Sequence, residues 1–170
     1  MTHLIILRLI HILFGVFWVG SAIFMALFLI PSLRGDAQTL GKVGQAMNAR
    51  GVHKWMGIAA VLTLLSGLGM LWIVSGGDVG MYARTRMGHG FTTAGGLAIL
   101  AFFGGLFFAR PAGLKAGELG AQLAAATDPA EKQRLAEELA KVGKRAGIAG
   151  SIVVVLLILA VSGMAVARYL

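Results

Sequence analysis

Residues 4–30 read LIILRLIHILFGVFWVGSAIFMALFLI, an apolar run whose only ionisable side chains are Arg8 and His11. A helix of about 20 residues crosses a hydrocarbon core of ~30 Å, and this run exceeds that length. It does not alternate as a barrel strand does. Backbone groups in lipid must be satisfied within their own segment, so the run predicts a transmembrane helix. Ionisable side chains at such depth are costly and face a bundle interior, a cavity or a ligand. At i,i+3 spacing Arg8 and His11 leave the helix from one face.

Working outward, three further stretches near 55–74, 89–109 and 148–167 are apolar and long enough to span. The chain of 170 residues is 58% hydrophobic and 13% charged, with mean hydropathy +0.84, far above a soluble domain. The first run exceeds a signal-peptide h-region and no basic n-region precedes it, so it is read as a span. The absence of cysteine excludes disulfides, thiolate metal sites and haem attached through Cys-x-x-Cys-His.

The net charge of +8 does not indicate a nucleic-acid partner, because the basic residues divide by loop. Arg8, Arg84, Arg86 and Arg168 fall on the side of both termini. Arg34, Lys42, Arg50, Lys54, Arg110, Lys115, Lys132, Arg134, Lys141, Lys144 and Arg145 fall on the other. The positive-inside rule then predicts both termini outside and the two larger loops in the cytoplasm, as in a bacterial inner membrane. The expected fold is an all-α integral membrane four-helix bundle forming one transmembrane domain, 1–170.

Between the spans, Asp36 is a plausible N-cap for a short surface helix with an apolar stripe of Leu40, Val43 and Met47. Its basic residues suit an anionic leaflet, and a simple connector is the alternative. His53, beside Lys54 and Trp55, reads as an interfacial residue. Ser75-Gly76-Gly77-Asp78 marks a turn and an N-cap, so helix three is expected to begin near Val79. Asp128, Pro129 and Glu131 form a capping-box-like start. Leu119 and Leu123 before that turn can meet Leu135, Leu139 and Val142 after it. This predicts a cytoplasmic helical hairpin, about 112–146, extending spans three and four. Pro111 is expected to kink or break its first arm.

His11 sits about seven residues, or ~10 Å, into its span. With helix three starting near Tyr82, His89 lies equally far along its own helix and enters from the same face. Below His11 come Gly15 and Trp18, and below His89 come Thr93 and Gly96. Both stretches run small after the histidine, leaving room for a flat ligand. Arg8 above His11, and Arg84 or Arg86 above His89, are placed for anionic groups. Two axial histidines, a slot with small and aromatic walls, and arginines for propionates suit a membrane b-type haem. Against this stands the reading in which each histidine merely bonds a neighbouring helix. The small-residue rows Ala59-Thr63-Gly67, Gly88-Thr92-Gly96 and Gly143-Gly147-Ser151 also suit tight helix packing.

No span carries Asp or Glu, which argues against a carboxylate proton relay or a cation-coupled transporter. No phosphate loop, Ser-His-Asp set or HExxH motif occurs. Copper held by His3, His11, His89 and Met87 is an alternative to haem. The scattered methionines, among them Met70 and Met164, otherwise fill packing gaps. A second alternative is a non-catalytic subunit of a larger membrane complex, using its tight glycine faces and basic hairpin, or a homo-oligomer.

The pattern from Arg8 through His11, Trp18 and Gly20 to Phe24 and Pro31 resembles the first helix of several small four-helix membrane families. These are the HemJ-type protoporphyrinogen oxidases, the copper-resistance D family and the membrane part of some urate oxidases. The shared feature is a histidine about seven residues before a tryptophan, followed by a glycine. HemJ-type proteins bind haem through a histidine in this helix, so the resemblance implies a ligand role for His11. It extends over about 28 residues and, beyond them, to the number of spans.

Overall fold

The computed structural model describes residues 2–33 and 35–170, with the side chains of Ala37 and Gln38 left aside. Arg34, counted above among the basic residues of the first loop, lies outside the described residues. Among the described residues there is no strand. Four helices are long and apolar enough to cross a membrane: α1 (Thr2–Ser32), α3 (Val52–Val74), α5 (Arg86–Ala125) and α6 (Pro129–Ala167). Two short helices, α2 (Ala37–Ala49) and α4 (Val79–Tyr82), lie in the connections. Large apolar side chains such as Ile5, Phe28, Leu65, Phe103 and Ile152 stand exposed along the long helices, a surface suited to lipid.

The starts follow from local chemistry. Asp36, Asp78 and Asp128 each cap a helix, accepting from the N–H of Thr39 at 2.9 Å, Met81 at 2.8 Å and Glu131 at 3.0 Å. After α3, Gly76 and Gly77 take positive φ of 63° and 88°, and the Gly77 N–H returns to the Trp72 carbonyl at 3.1 Å. Helix three does not run on from Val79. Thr85 is extended (φ −75°, ψ 153°) and caps a fresh start, accepting from the Gly88 N–H at 3.0 Å. A turn therefore separates α4 from α5, and Gly88 lies against the Tyr82 carbonyl. A Cβ at position 88 would lie 1.8 Å from that oxygen, so only glycine fits.

Pro111 does not break its helix. The preceding turn, Gly105–Ala109, widens to π geometry with Arg110 N–H bonded to the Gly105 carbonyl, and α5 continues to Ala125. The same device precedes Pro31: Met25–Leu29 form a π turn closed by Ile30 N–H on the Met25 carbonyl. A proline lacks an N–H and crowds the carbonyl four residues back, and a wider turn just before it relieves that crowding.

The long helices pack as two pairs, α1 with α3 and α5 with α6. Lesser contacts join α1 to α6 and α3 to α5, so α1 and α5 occupy opposite corners, as do α3 and α6. One core joins all four: Trp18 of α1, Ala59 and Ala60 of α3, Ala101 of α5, and Val153 and Leu157 of α6. Across it the rings of Trp18 and Phe102 meet edge to face at 6.5 Å. Beyond the spans, α5 and α6 continue as a hairpin with Leu119 and Leu135 buried between them. Helix α2 docks on this hairpin, where Gly41 lies against Gly120.

Candidate functional site

His11 is half-buried and faces α3. Its Nδ1 lies 2.8 Å from the Thr63 carbonyl. A carbonyl only accepts, so Nδ1 carries the proton and donates, leaving Nε2 with the lone pair in the neutral ring. Gly67, one turn from Thr63, makes room for the ring: a Cβ there would lie 2.9 Å from His11 Cε1. Thr63 and Ser66 are buried beside it and satisfied within α3. Thr63 Oγ1 donates to the Ala59 carbonyl at 2.7 Å, and Ser66 Oγ to the Leu62 carbonyl at 2.6 Å. Ser66 Oγ also reaches the Thr63 carbonyl at 3.1 Å, so one oxygen serves both His11 and Ser66. Among the described residues no buried side-chain nitrogen or oxygen lacks a partner. His11 Nε2, whose ring makes its hydrogen bond through Nδ1, therefore reaches the surface of the chain.

The other predicted residues distribute unevenly. Trp18 lies two turns from His11 on the same helical face and is buried in the common core, 6% exposed. Gly15 lies against Thr63, with a Cβ there 3.5 Å from its methyl group. Arg8 is exposed, one turn nearer the N-terminus. His89 is exposed, as are Thr93, Leu100 and Phe103, while Gly96, on the same side of α5, has open space beyond its Cα. Arg84 and Arg86 are exposed, and Arg84 lines a shallow depression with Asp78, Gly80 and Met81.

The chain does not bring His89 to His11. Helix α5 turns Gly90 and Ala94 toward α6, where Gly90 abuts Ala167 and Ala94 abuts Gly163. It turns Phe102 toward Trp18. His89 lies thirteen positions before Phe102, about 140° away around the helix, which points it outward. Taking the Trp18–Phe102 contact as a common level, His89 is also about 9 Å nearer the chain ends than His11. His3 is exposed at the N-terminal end. His53 is half-buried at the opposite end of the bundle, within electrostatic reach of Arg110. Among the described residues no group of three or more His, Asp or Glu side chains is placed to hold a metal ion.

Sequence spacing placed the histidines along their helices but not around them. The seven-residue step from His11 to Trp18 ties the histidine to the face that the tryptophan buries, and His89 has no such partner on its own helix. Of the residues that hold the ring, Thr63 and Gly67 belong to the small-residue row Ala59-Thr63-Gly67, and Ser66 carries no signal in the sequence. Comparison of the chain with known protein families, with curated proteins and with solved structures finds no match.

Proposed function

We propose that the chain is an integral membrane protein, with both termini outside and the hairpin in the cytoplasm, that binds a b-type haem through His11. Its role on this reading is electron transfer or a small membrane oxidoreductase activity. The observation that carries the reading is the 2.8 Å contact between His11 Nδ1 and the Thr63 carbonyl. Metal-binding histidines characteristically donate their second ring N–H to a carbonyl or carboxylate, which fixes the tautomer and strengthens the ligand. Here the donated proton leaves Nε2 as the free ligand atom, and Gly67 gives the ring its space. Those residues fit a haem iron, which when bound supplies one-electron redox chemistry. Trp18, buried two turns further along α1, packs the bundle on the side of the hairpin. Arg8, exposed one turn outward, is placed to meet a propionate. The eleven basic residues on the loop side of the spans support the orientation.

Purification in detergent from haem-replete cells, followed by a reduced-minus-oxidised spectrum, tests this. A Soret band that disappears in His11→Ala is the expected result. Colourless protein sinks the reading, and metal analysis separates haem iron from copper. One observation favours a second reading, a subunit of a larger membrane complex. The outward face of α5 presents His89 and Thr93 among exposed Leu100 and Phe103, and polar side chains facing lipid call for a cover. Stable co-purification with a larger complex, without any haem signature, would favour that reading.

A further inference from the structure

The basic residues of the hairpin side do not all stand clear of the spans. The common core of Trp18, Ala60, Phe102 and Leu157 sits near the middle of the four apolar runs. Counted from it at the helical rise, His53 lies ~10 Å toward the hairpin, Lys54 ~9 Å and Arg110 ~12 Å. A hydrocarbon core of ~30 Å reaches about 15 Å from its middle, so these three groups fall at its edge. Lys144 and Arg145 of α6, by the same count, are ~18 Å or more away and meet water. Lys54 and Arg110 are exposed, and His53 is half-buried. The contact between α3 and α5, one of the lesser ones in the bundle, brings His53 within electrostatic reach of Arg110. No carboxylate stands near them along either helix. Helix α3 has none from end to end, and Glu118, the first on α5, lies ~12 Å beyond Arg110. Asp36 is engaged at the start of α2.

Apolar surface adjoins this basic group on the side of the core. Gly57, one turn from Lys54 on the same face of α3, has no atom within 4 Å of where a Cβ would lie, and Val61 beyond it is exposed. On α5, Phe107 and Phe108 stand exposed within a turn of Arg110. Cations at the edge of the hydrocarbon with a bare apolar wall beside them match the two halves of a phospholipid. We propose that the seam between α3 and α5 holds an anionic phospholipid of the hairpin-side leaflet. Its phosphate lies at Arg110 and Lys54 beside His53, and its chains run along Gly57, Val61 and Phe107. Arg110 offers a planar fork of N–H donors to phosphate oxygens, and Lys54 adds a point charge. Basic clusters between transmembrane helices recognise such headgroups. The assignment is independent of any haem at His11 and requires only that the spans lie in lipid.

Native mass spectrometry of the full chain in detergent, titrated with phosphatidylglycerol or with phosphatidylcholine of the same acyl chains, tests this. The wild-type protein is expected to hold one phosphatidylglycerol more tightly than any further lipid and to show no such preference for phosphatidylcholine. Arg110→Gln and Lys54→Gln should each weaken that first lipid about fivefold, the worth of one basic side chain beside an anionic headgroup. Lys132→Gln makes the same charge change on the exposed hairpin and should leave it unchanged. Inorganic phosphate, added as a competitor, should not displace the lipid, because the chains are bound as well. Equal retention of phosphatidylcholine overturns the assignment, as does unaltered binding in both Arg110→Gln and Lys54→Gln. Equal weakening by Lys132→Gln would reduce the site to diffuse net charge, and displacement by phosphate alone would make it a site for a free anion. Either result also overturns the lipid. The preference is read first on wild-type protein, so a variant that folds poorly does not remove the test. Colourless protein, which ends the haem reading, leaves this assignment standing.

Discussion

His11 in the α1–α3 pair and His89 in the α5–α6 pair are held in opposite ways. In the α1–α3 pair, His11 is turned inward, donates to the Thr63 carbonyl and fills the space left by Gly67. In the α5–α6 pair, Gly90 and Ala94 take the inward positions, where they let α6 approach closely, and His89 is left outside. Both pairs use small residues for close packing. The difference is whether the small residue sits across from the histidine, as Gly67 does, or beside it on the same helix, as Gly90 does. A glycine across the interface makes a socket, whereas a glycine next in sequence takes the histidine's place.

Truncating Trp18, which ties the two pairs together, should have the largest effect. Trp18→Ala is expected to cost about 3 kcal/mol and to loosen both pairs, measured by denaturant unfolding in detergent followed by circular dichroism. Unfolding indistinguishable from wild type would mean that the pairs are not joined through this ring. Next comes Gly67→Ala. Its Cβ, 2.9 Å from His11 Cε1, must displace the imidazole, at about 1–3 kcal/mol and with loss of the Nδ1 hydrogen bond. Nitrogen chemical shifts of the labelled histidine report the change, and an Nδ1-protonated ring that survives the substitution contradicts the socket.

Smaller still is Asp128→Ala, at about 1 kcal/mol, which removes the cap on α6 outside the spans. Hydrogen exchange should rise in the hairpin and not around His11, and a change at both places would join regions kept separate here. The smallest effect belongs to Gly96→Ala. Open space surrounds that position, so stability should stay within about 0.5 kcal/mol of wild type. A larger loss would show that the outward face of α5 is covered.

Much of the architecture was legible in the sequence because the physics involved is local. Lipid demands about 20 apolar residues in a row, and the four runs met that demand. Asp36, Asp78 and Asp128 announced their caps because an Asx side chain needs only its own backbone three residues on. The rotation of α5 was not legible, since it depends on which residues α6 requires and not on spacing within α5. The restart at Thr85 was missed for a similar reason, because Gly88 must meet a carbonyl from the preceding turn. The π turns before Pro31 and Pro111 left one usable sign, a proline at or just past the end of an unbroken apolar run.

The most direct test sets the two histidines against each other. His11→Ala and His89→Ala are purified alongside wild-type protein from haem-replete cells, and the haem absorbance per chain is compared. Loss of the Soret band in His11→Ala, with full retention in His89→Ala, is the expected result. Haem retained without His11, or lost equally from both variants, would contradict a site built around the inward-facing imidazole.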